Sequence, residues 1–240
     1  EEARIALLSI YERSSDWTQA TEIAAKLDSS SHGSFGVRQA HYLCEQAKAS
    51  TATGATDQAF TLFKQAAALA PASPRPLIEL AKLENQLGLH AEAFNTLLQL
   101  EQRAPQALPL AAELLANVAV ISQQQAAALA LLKRSYEAMP SVDLVEAIIK
   151  LDSHTLSARD WYVKHLEQQP SLVAATRWIA GERFENEQPH GLVQRALDKA
   201  TKPLMRYRCA ACGFEATQHF WHCPGCQAWD SYSARRIEEL

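Results

Sequence analysis

Residues 54–71 read GATDQAFTLFKQAAALAP, and residues 88–105 read GLHAEAFNTLLQLEQRAP. The two segments match at a spacing of 34 residues, because a glycine, an alanine, a large apolar residue and a proline recur together. The matched pairs are Gly54 with Gly88, Ala59 with Ala93, Phe63 with Leu97, and Pro71 with Pro105. Four coincident spacings of one length indicate an internal repeat, which has to be recognised before any other feature is interpreted.

The pattern continues on both sides of these segments with small changes in spacing. Downstream, its residues are Ala128, Leu132 and Pro140, followed by Ala158 and Pro170; upstream, they are Trp17, Ala20 and Leu27. Small residues allow two helices to cross closely, and a proline ends the second helix of each unit. The repeat therefore predicts helix-turn-helix units, and each unit needs a neighbour to cover its apolar face.

This period and pattern resemble the tetratricopeptide repeat family. The resemblance covers roughly residues 1–200, as about five repeats and an irregular sixth helical pair near 171–200. It implies an all-α superhelical array. The sequence departs from the family pattern at the large residue of the first helix, which is Leu43, Leu77, Ala112 or Val142 here, and the family tyrosine is present only as Tyr11.

Two further segments fit this organisation. Residues 29–39 are polar and contain glycine, so we expect a surface insertion between repeats. Lys199–Pro203 is expected to be the boundary to a second domain.

Composition supports a helical protein. Alanine accounts for 42 of 240 residues, whereas only 8 are glycine and 10 are proline. Alanine is the best helix former and the other two are the poorest. The net charge of −4 provides no global basic field to attract nucleic acid or anionic lipid.

Four of the five cysteines lie close together, as Cys209, Cys212, Cys223 and Cys226. Each C-x2-C pair can direct two thiolates at one ion, and two pairs complete a tetrahedral sulfur shell that suits zinc or iron. We expect Gly213 and Gly225 to supply unusual backbone angles at these turns. His219 and His222 are alternative ligands, and the fifth cysteine, Cys44, is expected to be a small core residue.

The C-x2-C-G and C-P-x-C segments resemble rubredoxin and zinc-ribbon proteins. We expect a small C-terminal rubredoxin-like, zinc-ribbon metal domain over 205–233 and a tail over 234–240. Metal binding would supply much of the folding free energy of so short a domain. The sequence favours a structural role, in which the closed ribbon docks on the C-terminal end of the array, over electron transfer.

The two modules together resemble the lipopolysaccharide assembly protein B family (LapB, also called YciM). The specific match is Arg206–Phe214 and Trp221–Trp229, and the segments Ile10–Glu12 and Ser15–Trp17 are also similar. The resemblance implies a protein held on the cytoplasmic face of the bacterial inner membrane by one N-terminal helix. We therefore expect this chain to be the part of a longer protein that faces the cytoplasm.

The family resemblance also implies a function and partners. LapB proteins restrain lipopolysaccharide synthesis by helping the membrane protease FtsH to degrade the deacetylase LpxC, and the regulator PbgA (YejM) opposes them. The implied role is a non-catalytic adaptor, and self-association is left open. On the groove formed by the first helices, the expected exposed, partner-binding residues are Lys48, Arg75, Lys82, Glu113 and Asn117.

Other functions have weaker support in the sequence. There is no phosphate loop, dinucleotide fingerprint or H-E-x-x-H motif, and Asp152-Ser153-His154 is interpreted as a turn between helices. Four thiolates leave no open metal position for a catalytic water. Nucleic-acid binding by the zinc ribbon is the main alternative, together with rubredoxin-type electron transfer. However, the basic and acidic residues of 206–240 balance, and this is a poor footprint for phosphate.

Overall fold

The structure is a computed structural model that describes residues 2–28, 35–152, 157–183 and 187–240. The chain forms two compact units, Glu1–Ala104 and Pro105–Leu240. The first unit contains six helices in its described residues: α1 (Glu2–Ser14), α2 (Trp17–Asp28), α3 (Gly36–Ala52), α4 (Thr56–Leu69), α5 (Pro74–Gln86) and α6 (His90–Arg103).

Successive helices of the first unit pack against one another, in the order that the repeat predicts. Ala59 and Ala93 are completely buried where the helices cross, and Phe63 and Leu97 are buried one turn later. Cys44 lies in the same core cluster as Ala59 and Phe63, which confirms its assignment as a core residue. Its burial raises the pKa of the Cys44 thiol to about 12.

In its described residues, the second unit begins with a 3-10 segment, Pro105–Ala111, and continues through six more helices and a small ribbon. Its other elements are α7 (Ala112–Ile121), α8 (Gln125–Ala138), α9 (Val142–Leu151), α10 (Ala158–Gln168), α11 (Leu172–Ala180), α12 (Glu187–Thr201), β1 (Tyr207–Arg208), β2 (Glu215–Ala216) and a 3-10 turn, Ile237–Glu239. The strands β1 and β2 pair antiparallel. The predicted all-α array with a small C-terminal ribbon is confirmed.

The turns inside the first four helical pairs share one backbone conformation. Ser15, Gly54, Gly88 and Gln123 each have a positive φ, of 55°, 79°, 77° and 58°. Glycine adopts this left-handed conformation at little cost, whereas other residues are strained in it. The repeat therefore requires the same turn four times, although glycine is present in only two of them.

Two predicted segments, the insertion at 29–39 and the turn at 152–154, lie partly outside the described residues. In the predicted 29–39 insertion, residues 29–34 are outside the described part, whereas 36–39 form the first turn of α3. The turn predicted at Asp152-Ser153-His154 is described only at Asp152. Its carboxylate is buried and accepts hydrogen bonds from Trp161 Nε1 at 3.2 Å and from Lys133 Nζ at 2.9 Å.

Among the residues that the structure describes, none of the helices combines the length and apolarity that crossing a bilayer would require.

Candidate metal centre and the C-terminal tail

The four cysteines predicted to bind metal lie together at one end of the ribbon. The sulfur atoms of Cys209, Cys212, Cys223 and Cys226 all lie within 4.8 Å of one another. Two of these distances are 3.8 Å, between Cys209 and Cys226, and 3.7 Å, between Cys212 and Cys223. A tetrahedral ion with metal–sulfur bonds of about 2.3 Å has sulfur–sulfur edges of about 3.8 Å. The arrangement thus fits one metal ion with four thiolate ligands.

Each C-x2-C segment closes through a backbone hydrogen bond. The N–H of Gly213 donates to Cys209 O at 2.9 Å, and the N–H of Gln227 donates to Cys223 O at 2.8 Å. Gly213 and Gln227 both have a positive φ, of 79° and 61°. The expectation that Gly213 supplies an unusual backbone angle is confirmed, but in the second turn Gln227 does so and Gly225 does not.

Gly225 has a different role from the one expected. A Cβ atom at Gly225 would lie 3.3 to 3.4 Å from three atoms of the Phe214 side chain. The glycine therefore allows a close approach of the ring from the other half of the ribbon. This requirement depends on tertiary packing, so the local turn pattern did not reveal it.

The electrostatics of the Cys209 and Cys212 thiols also favour a bound cation. Burial acts to raise the pKa of Cys209, but the Ser231 hydroxyl and two backbone N–H groups outweigh it and lower the pKa to about 6. The Phe214 N–H acts to lower the pKa of Cys212, but burial and the neighbouring thiols raise it to about 12. Like charges at this separation resist simultaneous ionisation, and a divalent cation removes that conflict.

Both histidine alternatives have other contacts. His219 Nε2 lies 3.3 Å from the Tyr232 carbonyl oxygen, and its ring meets Tyr207 and Trp221 edge to face. His222 stacks on Trp229 with ring centroids 4.2 Å apart. Within the described residues, the group with metal-ligand geometry consists of the four cysteines. Tyr207, Tyr232 and Phe220 pack in one cluster with Cys209 and Cys223.

The tail, residues 234–240, contacts helices far away in sequence. Arg236 forms two hydrogen bonds with Asp143 in the first turn of α9, from Nε to Oδ2 at 2.9 Å and from Nη2 to Oδ1 at 2.8 Å. Its guanidinium also lies 4.1 Å from the centre of the Tyr207 ring. Glu238 and Glu239 contact the starts of α11 and α9. No local sequence pattern predicts the contacts of the tail with α9 and α11, since they join residues more than 60 positions apart.

The residues expected to be exposed for partner binding differ in their surroundings. Lys48 and Lys82 are exposed in the first unit, and Glu113 is exposed in the second. Asn117 is half-buried and accepts a hydrogen bond from Lys150 Nζ. Binding of a partner by these residues stays a prediction.

The expectation that Arg75 is exposed is wrong. Its side chain is only 1% exposed, because it packs between helices of successive repeats. Arg75 Nη1 lies 3.2 Å from His41 Nδ1, and Nη2 pairs with Glu45. His41 and Arg75 are 34 residues apart and occupy equivalent positions of neighbouring repeats. The charge of Arg75 therefore contributes to the contact between repeats.

The basic residues of the ribbon and tail have partners in the same unit. Arg206 and Arg208 face Glu215 at 3.7 and 2.8 Å, and Arg236 pairs with Asp143. Arg235 donates to the Pro140 carbonyl at 3.4 Å. Each of these arginines therefore has an acceptor within its own unit, and nucleic-acid binding stays an alternative hypothesis.

The fold and the site define a tetratricopeptide repeat protein with a C-terminal rubredoxin-type metal-binding domain. The tetratricopeptide repeat family matches residues 50–118, and the rubredoxin metal binding domain family, of the LapB zinc-ribbon type, matches residues 207–233. The chain is similar to lipopolysaccharide assembly protein B of Escherichia coli K12, with 26% identity over 235 residues. The resemblance to this family is thereby confirmed.

A second relative agrees with the first. Lipopolysaccharide assembly protein B of Haemophilus influenzae is 24% identical over 241 residues, which cover 96% of this chain. The match with the E. coli protein covers 94% of this chain, and in both cases the chain spans 60% of the relative's length. A solved tetratricopeptide repeat protein from Parabacteroides merdae is 13% identical, with a TM-score of 0.46, and the match covers 83% of this chain and 78% of that one.

Proposed function

We propose that this chain is the repeat and ribbon region of a non-catalytic adaptor that regulates lipopolysaccharide synthesis. The observation that carries the proposal is the similarity to lipopolysaccharide assembly protein B over 94% of the chain, which includes both the repeats and the ribbon. Stacked helical pairs offer extended surfaces for protein partners, and this property fits an adaptor. The tetratricopeptide repeat match and the similarity to a protein named lipopolysaccharide assembly protein B both support a scaffold.

The finer function follows from the family resemblance. In this proposal the adaptor brings the deacetylase LpxC to the protease FtsH at the cytoplasmic face of the inner membrane, and PbgA (YejM) opposes it. The exposed side chains of Lys48, Lys82 and Glu113 are candidates for these contacts. The full-length protein would carry the membrane anchor, and the repeats would hold the partner.

The proposed metal is one ion, zinc or iron, held by Cys209, Cys212, Cys223 and Cys226. Its role is structural, because four thiolates fill a tetrahedral shell and leave no position for a substrate or water. Metal analysis of the purified protein distinguishes the two ions, and an oxidised iron site with four thiolates also absorbs visible light. We expect one ion per chain.

The functional test uses cells that lack the full-length protein. We expect the level of LpxC to rise in these cells and to return when the full-length, membrane-anchored protein is supplied. A pull-down with the same protein should recover FtsH and LpxC. Unchanged LpxC levels, measured by immunoblot after protein synthesis is stopped, would contradict the lipopolysaccharide role and would leave the repeat scaffold intact.

A charge-reversal variant tests the surface. Lys48→Glu together with Lys82→Glu should reduce recovery of the partner, because both side chains are exposed and opposite charge repels a surface that they attract. The matched control is Lys26→Glu with Lys64→Glu, which changes the same charge on second helices of the repeats. Equal recovery with both variants would remove these two lysines from the partner surface.

A further inference from the structure

We propose that the C-terminal tail, residues 234–240, couples the four-cysteine site to the N-terminal ends of α9 and α11. The proposal rests on the metal ion proposed above. It assigns a role to the segment that follows the ribbon. In this proposal, the structural order of α9 and α11 depends on whether the four cysteines hold a metal ion.

The first step is the connection between the cysteines and the tail. Tyr232 forms a β-bridge with Cys209, and its hydroxyl donates to Phe214 O at 3.2 Å and lies 4.0 Å from Cys223 Sγ. The residue immediately before the tail, Ser233, follows this tyrosine directly. The direction in which the tail leaves the ribbon is therefore set by residues that contact the metal ligands.

The tail then returns along the segment that enters the ribbon. The N–H of Ile237 donates to Arg206 O at 2.8 Å, and the N–H of Glu238 donates to Leu204 O at 3.3 Å. Arg236 Nη1 donates to Met205 O at 2.8 Å. Three consecutive carbonyl groups just before Cys209 thus hold the tail, so that the tail loses these partners if the ribbon unfolds.

The second step is the contact between the tail and α9. The N–H of Val142, the first residue of α9, donates to Glu239 Oε1 at 2.7 Å. Ser141 precedes the helix but makes no side-chain cap hydrogen bond. The first N–H groups of a helix have no partner inside the helix, and a carboxylate there is favoured by the helix dipole. Glu239 therefore supplies the cap of α9 from a distance of 97 residues.

The start of α11 is held in a similar way. The N–H of Val173 donates to Glu238 Oε1 at 2.9 Å, and Ser171 Oγ donates to Glu238 Oε2 at 3.0 Å. Ser171 itself accepts a hydrogen bond from the N–H of Ala174 at 2.9 Å. Glu238 and Glu239, which are adjacent in one short turn, thus hold the starts of α11 and α9. Each of these helices is the first helix of its pair.

The coupling has to act in both directions. A domain of this size depends on its metal for folding, so that removal of the metal releases the anchor of the tail and both helix caps. By thermodynamic reciprocity, loss of the caps weakens the hold on the metal by the same factor. Loss or oxidation of the ligands would therefore loosen α9 and α11, which belong to the helical array, without any change in their own residues.

The first experiment measures release of zinc from the full chain to a chromogenic chelator. Glu238→Ala with Glu239→Ala should lower the affinity for zinc, measured at equilibrium with the chelator, about fivefold or more, which is the lower end of typical coupling between sites. The matched control is Glu137→Ala with Glu167→Ala, which removes the same charge from exposed positions of α8 and α10 in the same unit.

The second experiment uses the unaltered chain, so that it does not depend on the folding of a variant. Removal of zinc should speed hydrogen exchange at the N–H groups of Val142 and Val173. The N–H of Asp160 is the internal control, because Ser157 of its own helix caps it at 3.2 Å. Its exchange should change less than that of the other two.

The outcomes separate the coupling from the metal itself. A zinc affinity within twofold of that of the control variant, together with unchanged exchange at Val142 and Val173, would overturn the coupling. One bound ion per chain would still support the metal site. A chain that binds neither zinc nor iron would overturn both proposals.

Discussion

Arg236 and Asp143 form a bidentate ion pair across 93 residues of sequence, with side chains that are only 17% and 13% exposed. The pair joins the tail to the first turn of α9. Its two parallel hydrogen bonds have the fork geometry that makes arginine–carboxylate pairs specific. The ribbon and the helices of the second unit are therefore held together by a contact that neither segment reveals by itself.

This ion pair should contribute measurably to stability. Loss of one partner from a buried pair costs about 3–5 kcal/mol, and the partial exposure of both side chains reduces that figure. We expect Arg236→Ala and Asp143→Ala each to lower the free energy of unfolding by about 2 kcal/mol. The exposed pair Arg208–Glu215 is the control and should cost under about 1 kcal/mol. A double-mutant cycle with zero interaction energy would contradict this ranking.

The metal site predicts a division among the five cysteines. Cys209→Ser with Cys212→Ser should abolish stoichiometric metal binding, because two of the four thiolates are removed. Cys44→Ala should retain one ion per chain, since Cys44 is buried in the core of the other unit. Metal content is measured by elemental analysis after gel filtration. Full retention of metal by the double serine variant would refute the ligand assignment.

His165 should make the stability of the second unit depend on pH. Burial lowers its pKa, with a weaker opposite effect of Glu238, and its Nδ1 lies 3.1 Å from the Tyr136 hydroxyl. A depressed pKa in the folded state means that the unfolded chain takes up the proton first. Its contribution to stability is therefore complete above the unfolded pKa of about 6.5 and is lost as the pH falls through the folded pKa.

The matched variant for this prediction is His165→Gln. Between pH 7.5 and 5.5, the stability of the wild-type chain should fall more than that of the variant. Urea unfolding at both pH values measures the free energy of unfolding of each protein. Subtracting the pH dependence of the variant removes the contribution of the groups that titrate in both proteins. An identical pH dependence would show that His165 is protonated equally in the folded and unfolded chains.

The shared turn conformation predicts opposite effects of glycine at equivalent positions. A Cβ at Gly54 or Gly88 would meet no atom within 4 Å, so that replacement by alanine tests the backbone conformation without a steric clash. We expect a loss of about 1 kcal/mol for each alanine variant. Gln123→Gly should instead stabilise the chain by up to about 1 kcal/mol, because its φ is already 58°. Thermal unfolding of all three variants would test whether the two alanine variants lose stability and Gln123→Gly gains it.

Arg75 should behave differently from the two exposed lysines near it. Arg75→Ala leaves Glu45 and His41 without their arginine and opens space in a buried contact, so we expect a loss of about 3 kcal/mol. Lys48→Ala and Lys82→Ala should change stability by less than about 0.5 kcal/mol. Chemical unfolding measures the contrast, and a tolerated Arg75→Ala substitution would contradict the structural role assigned here.

The repeat itself was determined by the sequence alone. Ala59, Ala93 and Phe63 recur at fixed spacing because each helical pair has to bury the same face, and such local periodicity can be read without a structure. The four cysteines of the candidate metal site could also be identified from the sequence. Each C-x2-C pair is local, and the chain contains only one other such pair to complete the site. Both predictions depend on short-range chemistry that the chain repeats.

Only the tertiary structure decided which charged residues are buried and what the tail contacts. Arg75 looks like an exposed residue of a helix, but the preceding repeat covers it. Glu239 looks like part of a solvated acidic end, but it caps a helix 97 residues earlier. Arg75 and His41 share the repeat spacing of 34 residues, but that spacing does not show which face of the helix the preceding repeat covers. The contact of Glu239 joins segments whose spacing carries no period, so that packing and the position of the ribbon set it.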